Sequence, residues 1–246
     1  MSCSFMRKNY ILRFVGRVAV LLAAVAVYIL HPQSFSILEG MNFFREFSVL
    51  HLLWVLLVLD MVLQMSPSRR IIALGSQKQF GRHFRPAPRT PDRESLKGFI
   101  KTSNRSAGII LIIWILLVLL LGGLYLLGIL DRGIMVLIST AFYVCDLICV
   151  LFWCPFRVIF MKNRCCTTCR IFNWDHLMMF LHLLFVPGFF TLSLGIASVV
   201  IFAVWEVTFH RHPERFWDRS NRALRCISCT DQLCGRRLAK PENKEQ

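Results

Sequence analysis

Five stretches of this chain, residues 11–30, 47–65, 107–130, 133–153 and 177–205, are nearly free of charged side chains. Each approaches or exceeds the ~20 apolar residues that an α-helix needs to cross a bilayer. Inside lipid the backbone must satisfy its own N–H and C=O groups, and a helix does so within one segment. The expected fold is therefore all-α and integral to the membrane. It has four transmembrane helices, then a fifth long apolar segment that is either a re-entrant hairpin or a kinked span, then an interfacial C-terminal helix.

Apolar residues make up 56% of the chain and charged ones 17%, a balance that excludes a soluble domain. The formal net charge of +15 is read as loop bias, because loops of spanning proteins collect Lys and Arg on the cytoplasmic side. Nucleic-acid binding is not expected. The first run carries Arg7, Lys8, Arg13 and Arg17 before and at its start and ends at His31-Pro32 without a small-x-small cleavage pattern, so it reads as a retained anchor. Two regions result. Residues 1–153 form a four-helix membrane bundle with a basic cytoplasmic loop at 66–106, and residues 154–246 form a cysteine-rich, membrane-associated region.

Segment 177–205 decides the topology. As one helix it would run about 43 Å at roughly 1.5 Å per residue, against a hydrocarbon core of about 30 Å. Pro187-Gly188 lies a third of the way along, where it either kinks one helix or separates two half-helices. With the N-terminus in the cytoplasm, a fold-back keeps all of the 29 basic residues except Arg45 and Arg132 on that side. A crossing exports the nine between Arg211 and Lys244, so the charge rule favours the fold-back. Half-helices of this length fall short of a full crossing, which implies a re-entrant hairpin.

Cys166-Thr-Thr-Cys169 and Cys226-Ile-Ser-Cys229 flank the same segment, with Cys165 and Cys234 beside them. Two thiolates at this spacing can reach one metal ion at roughly 2.3 Å. A fold-back places both pairs on the cytoplasmic face, where thiols stay reduced. A shared metal centre is expected, either zinc or an iron–sulfur cluster, since four cysteines suit both. Separate free thiols or a disulfide are the plainer alternative. Cys154-Pro155 is similar to the Cys-Pro ending of iron–sulfur ligand runs, although its spacing from Cys145 and Cys149 does not match them.

Ionisable residues inside apolar segments are costly and mark functional sites by default. Asp60, Asp146 and His182 are expected at one depth near the cytoplasmic side, with Cys149 on the Asp146 face of its helix. Hydrogen bonding to neighbouring hydroxyls or snorkelling accounts for any one of them alone. His51 and His182 fall near opposite surfaces, so a bis-histidine haem is not expected. Trp174 and Asp175 suit a capped interfacial helix entry, with His176 as a minor candidate ligand. Residues 213–224 read as an amphipathic helix against anionic headgroups. No phosphate-binding glycine loop, HExxH or GxSxG occurs. The expected function is a multipass membrane protein with a structural or redox-accessory metal centre. The alternatives are an iron–sulfur electron carrier or oxidoreductase, and an ion or proton transporter.

Overall fold

Residues 5–66, 75–88, 91–229 and 233 are described by the computed structural model, and among them the regular structure is helical with no β-strand. Six α-helices form: α1 (Phe5–Leu30), α2 (Leu50–Met65), α3 (Arg93–Leu126), α4 (Arg132–Leu151), α5 (Asp175–Phe180) and α6 (Phe189–Arg211). Four of them, α1, α3, α4 and α6, are long and apolar enough to cross a membrane. Large apolar side chains remain on the outer surface, including Leu22 and Ile29 of α1, Ile112 and Leu116 of α3, and Val200 of α6. An outward apolar surface of this extent suits a lipid environment.

The set of long helices differs from expectation in two places. Only 16 residues of the 47–65 run are helical, because Ser48 ends the preceding loop: its hydroxyl accepts from Leu50 N, and His51 folds back onto its backbone. The 177–205 run yields a 23-residue α6, which is itself long enough to cross. The premise that neither half could span is therefore wrong for the second half. Helix α3 also begins well before residue 107, since Asp92 accepts from Ser95 N and Lys97, Lys101 and Arg105 ride on its first turns.

The helices share two ends. The start of α1 marks the near end, and Gly40 marks the far end. Tyr28 donates to Asp131 at 2.5 Å, and Arg132 pairs with Glu39, fixing the α1–α4 approach at the far end. Gly40 N donates to Pro187 O at 3.1 Å and Phe189 N to Gly40 O at 3.0 Å, so the chain reverses at the far end between α5 and α6. A Cβ on Gly188 would collide with the Leu38 carbonyl, so this backbone approach requires glycine.

From the reversal, α6 returns antiparallel to the arm that precedes it. Leu184 packs at Gly195, Trp174 meets Phe202 with ring centroids 5.2 Å apart, and Arg170 pairs with Glu206. The outgoing arm is α5 extended by 3₁₀ turns at Arg170–Trp174 and Leu181–Phe185. Since 3₁₀ backbone rises about 2.0 Å per residue against 1.5 Å in an α-helix, the arm covers more length than an α-helix of equal count. Helix α6 buries Thr191, Leu194, Gly195, Ser198, Ile201, Trp205 and Phe209. That stripe has helical spacing, and its small members admit close helix contact where lipid supplies no hydrophobic drive between helices.

At the near end, polar contacts stitch loop to tail. Asn221 donates to Lys78 O and Arg215 O, Ala87 N donates to Ser220 O, and Asn173 donates to Gln79 Oε1 at 2.6 Å. Residues 213–224 form two 3₁₀ turns, Pro213–Phe216 and Arg222–Leu224, in place of one helix. Asn221 causes the break: it bridges to Pro86, and its side chain caps Ala223 N.

Candidate functional site

The sequence places Arg17 among the charges that flank the first span, but the fold buries it, 6% exposed, in the middle of the near half of the bundle. Its Nη1 donates to Asp146 Oδ2 at 2.7 Å and to Tyr143 O at 2.8 Å, and its Nη2 donates to Asp60 Oδ2 at 3.2 Å. The guanidinium also lies 3.8 Å from the centroid of the Tyr143 ring. Asp60 and Asp146 thus meet through a cation that α1 supplies.

The network continues into α5. His176 Nε2 lies 3.8 Å from Asp60 Oδ2, and its Nδ1 lies 3.2 Å from Asp175 Oδ1. Asp175 Oδ2 accepts from Gln64 Nε2 at 2.9 Å, so α2 holds both ends of the chain of contacts. Asp175 and His176 are buried, so they are members of this core and do not form an interfacial helix entry. Their signal in the sequence was their adjacency at the mouth of an apolar segment.

His182 stands apart. It is fully buried against Ser139 Oγ and Met135 O, both at 3.1 Å, and its ring meets Phe142 edge-on. Ser139 lies two turns from Asp146 along α4, about 10 Å at helical rise, so His182 does not share the depth of the carboxylates. His176 already stands at the level of Asp60, and the residues from there to His182 carry the ring about 9 Å further toward the far end. His51 is at that end too, bonded to Phe43 O at 2.8 Å.

Beside the charged network lies a cavity of about 90 Å³. Helix α4 contributes Phe142, Cys145, Asp146, Cys149 and Val150, whose spacing puts them on one helix face. Trp114 of α3 closes one side, Asp175, Met178 and Met179 of α5 another, and the loop after α4 adds Cys154, Phe156, Arg157, Cys166 and Cys169. The lining is apolar apart from these few groups, as small-molecule sites are.

Three thiols meet on this wall. Cys149 and Cys166 neighbour Cys154, whose sulfur accepts from Arg157 N at 3.4 Å. The two thiol donors hold Cys154 far below the ordinary thiol range, with Cys149 first in effect. The same bond to Cys154, followed by burial, raises Cys166. Burial pushes Cys169 up to about 12. All three are free cysteines, as is Cys149.

The other sequence candidates sit elsewhere. Cys165 Sγ lies 3.2 Å from Thr167 Oγ1, and Cys229 Sγ lies 4.0 Å from Lys78 Nζ. Cys226 and Cys229 are half-buried at the near end, and Cys234 lies outside the described residues. Among the described residues no three His, Cys, Asp or Glu side chains are arranged to hold a metal ion. The sequence pattern thus overlooked Cys154 as a partner of Cys166, because the pairing spans the end of a helix and a loop. No family model, curated protein or solved structure matches the chain.

Proposed function

We propose that the protein is a multipass membrane thiol oxidoreductase whose working pair is Cys154 and Cys166, with Cys149 as the neighbouring thiol. One observation carries the reading: Cys149, Cys154 and Cys166 line one wall of an apolar cavity inside a helical bundle, with Cys154 beside each of the other two. A dithiol of this kind cycles to a disulfide by losing two electrons and two protons. Cys154 is the attacking sulfur, since it is the thiolate of the group. Asp146, on the same wall and paired with Arg17, is placed to accept or return a proton.

The near end faces the cytoplasm in this reading, because among the described residues Lys78, Arg82 and Arg85 of the loop and Arg215, Arg219, Arg222 and Arg225 after α6 lie there. The α5–α6 unit is then a hairpin whose turn at Pro187-Gly188 reaches the opposite side, and the turns at 213–224 lie at the headgroup level. Cys226 and Cys229 form a second pair at the same end, suited to exchange with soluble thiols.

A redox titration of the purified protein against dithiothreitol tests the proposal. It predicts a two-electron couple that disappears in Cys154→Ser and Cys166→Ser and persists in the double variant Cys226→Ser, Cys229→Ser. A couple that vanishes only with the tail pair would refute it.

A second reading is a soft metal ion, zinc or iron–sulfur in the expectation from sequence, held by the same wall. Its support is that five cysteines and the thioethers of Met178 and Met179 line one cavity, a donor set that favours soft metals. Metal analysis of anaerobically purified protein separates the two. A full equivalent of metal, lost in Cys154→Ser, would favour this second reading over the first.

A further inference from the structure

Two residues that line the cavity each carry a buried donor without an acceptor. The indole Nε1 of Trp114 and the guanidinium Nε of Arg157 are both buried and unpartnered. A buried N–H without a partner is destabilising, so two of them on residues around one cavity point to a ligand that brings acceptor oxygens. Nearly every other surface there is apolar. The rings of Phe142 and Phe156 pack against Trp114 at centroid distances of 5.2 Å and 6.0 Å, so aromatic side chains form part of the wall.

The surroundings say how such a ligand arrives. Ile112, Ile115 and Leu116 flank Trp114 on the outer surface of α3, and Phe152 and Trp153, just before Cys154, are exposed as well. The outer surface beside the cavity is therefore apolar, which suits a ligand dissolved in the membrane rather than in water. Arg157 is one cation against the two carboxylates of Asp146 and Asp175, so a neutral acceptor meets less repulsion there than a phosphate or carboxylate. A neutral, carbonyl-bearing ring meets every condition.

We infer that the cavity binds the headgroup of a lipid-soluble quinone, with Trp114 and Arg157 donating to its carbonyl oxygens and the Cys154–Cys166 dithiol reducing it. The inference rests on the thiol reading above and names the electron acceptor for it. The step balances. The S–H bonds of Cys154 and Cys166 break and an S–S bond forms. The two electrons and two protons released convert the quinone's two C=O groups to C–OH, giving the quinol. Trp114 and Arg157 position the ring and stabilise negative charge on the carbonyl oxygen as electrons arrive. Soluble thiols then return the disulfide to the dithiol by exchange.

The test uses full-length protein in detergent, reduced and freed of reductant, with decylubiquinone as probe and diamide as an independent oxidant. The expected result is one quinol formed per protein with loss of two thiols, saturable in quinone and absent in Cys154→Ser. Trp114→Phe, which keeps the ring packing, should raise the half-saturating quinone concentration at least about 5-fold, the loss of one hydrogen bond of about 1 kcal/mol. Its reaction with diamide should be unchanged. If diamide forms the disulfide but quinone is not reduced, or is reduced equally well by Trp114→Phe, the quinone site is wrong and the dithiol reading survives. If diamide also fails to link Cys154 and Cys166, both are wrong.

Discussion

Arg17 Nη1 and Asp146 Oδ2 lie 2.7 Å apart, joining α1 to α4 by an ion pair inside an apolar bundle. The same guanidinium binds Asp60 of α2, so three helices are tied at one point. Removing one partner of such a buried group leaves charge without compensation, which costs about 3–5 kcal/mol, whereas replacing the whole group by neutral residues is far less costly. Arg17→Leu should therefore lower the thermal midpoint in detergent sharply. Adding Asp60→Asn and Asp146→Asn to it should restore most of the loss. A triple variant no more stable than the single one would contradict this account of the network.

The turn between the hairpin arms makes a sharper structural prediction. At Gly188 the backbone is extended, φ −171°, so the glycine is needed for space and not for its dihedral angles. Gly188→Ala should cost about 3 kcal/mol or more, since the methyl group meets the Leu38 carbonyl, a backbone atom that cannot step aside. Gly128→Ala is a control of a different kind: its φ of +74° strains any Cβ while nothing crowds it, so a smaller loss of about 1 kcal/mol is expected. Thermal melts of both variants check the order.

The long helices were legible because apolar runs of this length permit little else, and their partners were not. Asp60 and Asp146 were recognised as intramembrane charges from position alone. Arg17 was not, because four basic residues in a row of turns read as a flank, and only the packing of α1 on α4 shows which of them points inward. His182 lies deeper than a count from residue 177 gives, because the start of the segment, Asp175 and His176, is itself buried at the level of Asp60. Cys154 was judged by its proline and its spacing, whereas its significance lies in the return of Cys166 across the loop.

Thiol chemistry offers a pH-dependent check outside the membrane-spanning segments. The thiol donors keep Cys154 ionised at pH values where an ordinary cysteine is protonated, and burial keeps Cys169 protonated up to about 12. Lowering the pH from 8 to 6 should therefore leave the rate at which iodoacetamide modifies Cys154 nearly unchanged. Cys169 should stay unmodified at both values. Peptide mass spectrometry reads all of these sites in one sample. A Cys154 rate that falls tenfold or more over this range would show that Cys149 and Cys166 do not donate to it.

His182 serves as the negative counterpart. It touches Ser139 and Met135 and lies apart from both the charged network and the thiols. His182→Asn should lower stability by about 1–3 kcal/mol through a lost buried contact and leave the thiol couple unmoved. A shifted couple would mean that the site extends to His182.

Which cysteines join on oxidation is the most direct question. Native membranes treated with diamide, quenched with alkylating reagent, digested and analysed by mass spectrometry should yield a peptide linking Cys154 to Cys166. Cys149→Ser should leave that link in place, and Cys166→Ser should abolish it. A link confined to Cys226 and Cys229, with Cys154 and Cys166 recovered as alkylated thiols, would contradict the proposal that the cavity wall carries a working dithiol.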